Sequence, residues 1–188
     1  MAVLEEKTLT LKNGKTLILR TCEAKDAEAF LDYHRAIASE SNFTLLNLEL
    51  PPDFQKMKVH YEATRVHPRD LLLHAFDGQR LVGQISLRQE SPGHPVFQHV
   101  GIFGMSVREE FSGQGLGRAL LEAMHRYSDA SGFERIEARV RTENLRALGL
   151  YLRVGYQIEG VRRAMAKIGD SFRDEYLIAR LNPGATKG

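Results

Sequence analysis

Past the middle of this chain a strand-like run ends in Gly113-Gln114-Gly115-Leu116-Gly117, and a helical pattern starts at once. No other segment restricts the fold as much. A helix start exposes unpaired backbone N–H groups and the positive end of a dipole. Glycines ahead of it let the backbone approach a phosphate closely and surround it with donors. A plain strand-to-helix turn needs one glycine for φ > 0, whereas three alternating ones require another reason.

The elements around this loop follow from periodicity and turn chemistry. Thr8–Leu11 and Thr16–Leu19 read as strands around Asn13-Gly14, a dipeptide that favours hairpin turns. Asp26–Ser39 places Phe30, Leu31, His34 and Ile37 on one helical face, with His34 at the edge of a core. An irregular connection to Pro51-Pro52 precedes a helix capped by Asp53 and running to about Val66. Leu71–Phe76 and Leu81–Leu87 form a hairpin about Asp77-Gly78, and a strand from about Gln98 to Val107 follows. Gly101 and Gly104 inside that strand predict a bulge or a close backbone approach.

After the loop, Leu116, Leu120, Leu121 and Met124 line a helix that stops near Gly132. A strand (Arg135–Val140), a helix (about Asn144–Val154) and two strands (about Tyr156–Arg163 and Phe172–Leu181) complete the chain before a polar tail, 182–188. The order predicts a mixed α+β fold: a mostly antiparallel sheet, one parallel crossover and about four helices, in one domain over 1–188 with its core at 8–181.

Two nucleotide-binding readings fail against this order. A Walker loop needs Lys-Ser or Lys-Thr after its glycines, where Arg118-Ala119 stands. A Rossmann fingerprint would find Glu134 or Glu137 at a suitable distance, but its third glycine is Leu120 and the sheet order is wrong. Composition removes further classes. A formal charge of +2 without clustered basic residues argues against a nucleic-acid partner. Cys22 is the single cysteine, so no internal disulfide forms and a buried structural role is expected. No h-region opens the chain and no apolar run nears the ~20 residues of a membrane helix, so a cytoplasmic location is expected. No metal ligand set is read.

Met105-Ser106-Val107 followed by Gly113-Gln114-Gly115-Leu116-Gly117-Arg118-Ala119-Leu120-Leu121 resembles the acetyl-CoA motif of the GNAT superfamily of N-acetyltransferases. Asn144-Leu145-Arg146-Ala147, Leu150-Tyr151 and Gly155-Tyr156 resemble that family's second segment at the right spacing. The resemblance covers about Thr8 to Leu181. Glu159-Gly160 and Asp174-Glu175-Tyr176 resemble the branch of ribosomal-protein N-terminal and polyamine acetyltransferases. One departure is Ser112, where the family usually has Arg or Gln; backbone amides and Arg118 would then do more to hold the pyrophosphate.

The resemblance implies a sheet splayed at the acetyl-CoA site and acetyl-CoA as co-substrate, contacted by Met105–Val107, Gly113–Arg118, Asn144, Ala147 and Tyr151. It implies that Tyr151 protonates the leaving thiol and that amides around Met105–Val107 polarise the thioester carbonyl. Tyr151 also reads as a core aromatic with a polar tip, and Asn144 as a plain N-cap. Arg146 and Arg153 are candidates for the 3′-phosphate or solvated charges. His99 is the first candidate for the general base, beside Glu90, Glu49 or water. The acceptor is a primary amine of a small molecule or a peptide N-terminus, with Glu40, Glu49 and Glu90 suiting a polyamine if they converge. A non-catalytic acyl-CoA sensor is the competing reading, and a homodimer through the last strands is expected.

Overall fold

The computed structural model describes residues 4–43 and 53–182. Glu49, Pro51-Pro52 and the tail beyond Asn182 lie outside the described residues. Eight strands form one mixed sheet: β1 (Lys7–Thr10), β2 (Thr16–Thr21), β3 (Leu71–Asp77), β4 (Arg80–Gln89), β5 (Val100–Val107), β6 (Arg135–Arg141), β7 (Gln157–Ile168) and β8 (Ser171–Leu181). Their order is β1-β2-β3-β4-β5-β6-β8-β7. β5 and β6 pair in parallel, while β1–β2, β2–β3, β3–β4, β6–β8 and β7–β8 pair antiparallel. The helices are α1 (Ala27–Glu40), α2 (Phe54–Val66), α3 (Leu116–Ala130) and α4 (Leu145–Arg153). This is the α+β class expected, with one parallel pair and four α-helices among the described residues.

The chain divides into two compact units. One runs to Arg88 and resumes over Gly104–Tyr127; the other holds Gln89–Phe103 and the chain from Ser128. In the first, Cys22, Phe30, Tyr33, Ile37, Tyr61, Leu72, Phe76 and Leu81 form a core of α1 and α2 against β3 and β4. Cys22 is buried there and burial pushes its thiol up to about 12, which fits the structural role expected. His34 is buried, 4% exposed, rather than half-exposed at an edge. Asp53 caps α2 through Lys56 N at 2.9 Å, as its position predicts. At the start of α1, Asp26 accepts both arms of the Arg20 guanidinium at 2.7 and 2.6 Å and the amide of Glu23 at 2.7 Å.

In the second unit β7 runs five residues further than the sequence suggests. Its register on β8 shifts between Arg162 and Ala166, and Ala164 takes φ +53° with its N–H donating to Asp174 Oδ1 at 2.7 Å. The bulge lets pairing resume to Ile168. A Cβ at positive φ is strained, so Ala164→Gly should raise unfolding stability by about 1 kcal/mol. Chemical denaturation checks this, and an unchanged midpoint would mean that the Asp174 bond carries the strain at no cost.

Candidate functional site

The loop that opens α3 is held from two sides within the first unit. Lys12 N, from the β1–β2 turn, donates to Gln114 O at 3.1 Å, and Ser112 N donates to Glu109 O at 2.9 Å. Gly113 and Gly115 have φ of +73° and +99°, and a Cβ at either would meet nothing within 4 Å. Ala119 N finds Gly115 O at 3.1 Å, so the amides of Leu116, Gly117 and Arg118 precede the first intrahelical bond. The loop is bare and rich in donors, which fits a pyrophosphate. Arg118 is exposed and its Nε donates to Glu122 Oε1 at 2.8 Å, so its charge is shared along the helix surface.

The glycine conformation gives a sharp test. Gly115→Ala should raise KM for acetyl-CoA ~10-fold, because φ near +99° costs an L-residue ~1–3 kcal/mol and turns the neighbouring amides. Gly78→Ala, at φ +60° in the β3–β4 turn, is the control: similar strain with no change in KM. Equal KM values for the two variants would remove the loop from cofactor binding.

No bulge is found at Gly104. Glu90 N donates to Val100 O at 3.0 Å and Arg108 N donates to Val82 O at 2.9 Å, a step of eight residues on both strands, so none is inserted between; Ser86 Oγ adds a side-chain bond to Gly104 O at 3.4 Å. Free amides arise in another way. β5 registers with β6 only at Val100–Arg135, Gly101–Ile136 and Ile102–Glu137. Alternate amides of an antiparallel strand point to opposite edges. With Arg108 N directed to β4, those of Met105 and Val107 point to the opposite edge of β5. Side-chain support comes from α1: Tyr33 Oη donates to Ser106 Oγ at 2.8 Å. Arg108 Nε donates to Glu40 Oε1 at 2.7 Å, and Glu109 N to Glu40 Oε2 at 2.8 Å. Glu40 is therefore committed to the end of β5 and is no free acid for a polyamine. Sequence reading missed these contacts; they join residues about 70 positions apart with no local signal.

In the second unit Asn144 Oδ1 accepts Ala147 N at 3.1 Å, the bond of an N-cap to α4. That occupies both Asn144 Oδ1 and the Ala147 amide. Tyr151 is buried, its ring edge-on to Phe103 at 5.3 Å and to Tyr156 at 5.9 Å. Tyr156 is set there by the turn ending α4, where its amide donates to Tyr151 O at 3.1 Å. Burial pushes the Tyr151 phenol up to about 12, so it stays protonated at neutral pH. Its hydroxyl bonds to none of the described residues. His99 is exposed at the residue before β5, its carbonyl accepting Glu134 N and Arg135 N at 3.0 and 3.2 Å. Six residues of strand rise, ~20 Å, part it from Met105. Glu90 is exposed with its amide on Val100 O, and Arg146 and Arg153 are exposed without an ion pair among the described residues.

Residues 32–156 match the Acetyltransferase (GNAT) family. The chain belongs to that family. It is a GNAT N-acetyltransferase, and the family segment contains both the glycine loop and Tyr151. Among curated proteins it is similar to the L-amino acid N-acetyltransferase AaaT of Escherichia coli (strain K12), 26% identical over 166 residues, covering 88% of this chain and 98% of the relative. A GNAT acetyltransferase crystal structure from Streptococcus pneumoniae is similar at TM-score 0.83 and 26% identity, over 88% of this chain and 99% of that one. The fold also matches yncA from Salmonella typhimurium, a putative acetyltransferase solved with its cofactor acetyl-CoA, at TM-score 0.78 and 15% identity over 89% and 95% of the two chains. No helix among the described residues of this GNAT protein is long and apolar enough to cross a membrane.

Proposed function

We propose that this GNAT enzyme moves an acetyl group from acetyl-CoA to the primary amine of a small molecule, with free α-amino acids as the first class of acceptor. The observation that carries the cofactor half is the bare loop at Gly113 and Gly115 ahead of the free amides of α3. The yncA neighbour, solved with acetyl-CoA, supports the same half. The amino-acid half is supported by the likeness to AaaT over most of the chain, and by the commitment of Glu40 to Arg108, which takes one acid away from a polyamine site. A peptide N-terminus presents the same amine and is the alternative acceptor. The units work as one acetyltransferase domain in this reading, because the chain passes between them inside β4, β5 and α3 without a break.

Each set of residues has a part. Acetyl-CoA supplies an activated acyl group on a thiol leaving group. The amides of Gly113–Arg118 bind its pyrophosphate, with Gln114 and Leu116 fixing the loop shape. Met105 and Val107 offer amides to the pantetheine arm and the thioester oxygen, while Ser106 is held by Tyr33. Asn144 and Ala147 shape the start of α4, and Tyr151 holds a proton for the departing sulfur. The acceptor's proton passes to water; His99, exposed and ~20 Å of strand from Met105, is too remote to take it directly. A cytoplasmic site of action and a homodimer complete the reading. Exposed Val161, Ile168 and Phe172 on the β7–β8 hairpin support the second.

Incubating the protein with acetyl-CoA and a panel of the twenty amino acids, polyamines and short peptides, then following thiol release and product mass, decides it. Acetylated amino acids are expected. Calorimetric binding of CoA with no thiol release on any amine would make the protein a sensor instead.

A further inference from the structure

One buried charge in the second unit has a donor left over. Arg141 ends β6 and is 9% exposed. Its Nε donates to Glu175 Oε1 at 3.4 Å, the long limit for such a bond, and its Nη1 is buried with no hydrogen-bond partner among the described residues. A guanidinium stays charged at any working pH, and leaving one of its buried donors unpaired costs ~1–3 kcal/mol.

The strand register explains how the group is held. Arg141 stands opposite Glu175 on β8, and Glu175 stands opposite Arg162 on β7. Directly opposed residues share a face, so the three side chains form one row across three strands. Arg162 Nη1 lies 3.6 Å from Glu175 Oε2. The row holds two guanidiniums and one carboxylate. Neighbouring acids do not balance it: Glu143 pairs with Arg173 at 3.0 Å, and Asp174 Oδ1 accepts Ala164 N. Glu175 steers Arg141 without saturating it.

We propose that Arg141, oriented by Glu175 and backed by Arg162, binds the α-carboxylate of the acceptor. The planar guanidinium fork matches a carboxylate, and an incoming anion satisfies the donor that the folded chain leaves unpaired. This rests on the amino-acid reading above and sharpens it: the enzyme distinguishes an amino acid from the corresponding amide or amine by this row.

The test compares free L-amino acids with their C-terminal amides, using the full-length protein. Two measurements run together: KM in acetyl transfer, and affinity by calorimetry in the presence of CoA. The wild type should favour the acid ~10-fold or more, and Arg141→Gln should raise KM for the acid about 10- to 100-fold while the amide and acetyl-CoA change little. Arg141→Lys, which keeps the charge but loses the fork, should recover only part of the preference. Arg162→Gln alters a side chain at the row's outer end and should lower the preference a few-fold.

An acid-to-amide ratio that is near one in the wild type, or is unchanged in the folded variants, assigns Nη1 to water and overturns the proposal. If no amino acid is acetylated, the functional reading fails, and calorimetry still decides the site. Acid binding that is lost in Arg141→Gln sustains it; no acid binding, or equal binding, sinks it.

Discussion

Replacing Tyr151 with Phe should lower kcat by at least ~10-fold near neutral pH while KM for acetyl-CoA and thermal stability stay where they are. The substitution keeps the edge-on contacts with Phe103 and Tyr156, and the hydroxyl has no bond among the described residues to lose. A fall in rate can then be read as chemistry. Burial holds the phenol at about 12, above a free thiol at ~8.5, so the proton is present at neutral pH and available as thiolate character develops. The same value places the loss of this acid well above the usual assay range. An activated aryl thioester, whose leaving group needs no proton, should restore most of the lost rate in the variant. An unchanged kcat, or a loss that the activated donor does not repair, would return Tyr151 to the core.

His74→Leu should make the protein more stable, and much more so at pH 5 than at pH 7.5. His74 is fully buried on β3, and neither ring nitrogen is hydrogen-bonded among the described residues. Tyr61 lies edge-on at 5.3 Å, Phe76 at 5.8 Å, and Asp26 Oδ2 is 4.0 Å from Nδ1. Desolvation holds the imidazole down at about 3 despite Asp26, which favours its charged form. The folded protein therefore binds fewer protons than the unfolded chain between pH 6.5 and about 3. Stability is complete above pH 6.5 and falls with pH inside that window, by up to ~1.4 kcal/mol per unit. Leucine removes that slope and two unsatisfied nitrogens; at pH 5 the gain should reach ~2 kcal/mol, set against a small repacking cost. Against desolvation, Arg20 and the Glu23 amide hold Asp26 below its ordinary carboxylate value, so it stays ionised across pH 5–7.5 in both proteins. Parallel unfolding curves across pH 5–7.5 for the two proteins would show that His74 finds a proton-binding partner in the fold.

Local chemistry made much of the frame legible. Asp53 announced α2, Asp77-Gly78 turned β3 into β4, and the glycine loop opened α3 where its spacing said it would. The misses share a cause. That β8 inserts between β6 and β7 is a choice among distant partners, which no turn residue encodes. Gly104 suggested a bulge because glycine weakens a strand, yet the free edge of β5 comes from the end of its β6 register. Ala164 gave no warning, since alanine carries no preference for positive φ; its conformation depends on Asp174 across the hairpin. His74 was hidden inside an apolar strand, and Tyr33 reached Ser106 only through tertiary packing. Tyr151 and Asn144 were visible by motif, but the motif could not say that the asparagine oxygen is taken up by Ala147 N.

Gly83 on β4 lies directly beneath the mouth of α3. A Cβ there would come within 3.0 Å of Leu116 Cδ2 and 3.4 Å of Leu120 Cδ1. The helix thus rests on bare backbone, and position 83 acts as a shim whose thickness sets the height of the glycine loop. An added methyl at this site would tilt the first turn without altering any loop residue. If the glycine loop holds acetyl-CoA as proposed, affinity for it should shift with the side chain at a strand position outside the loop, which a Gly83→Ala variant would show.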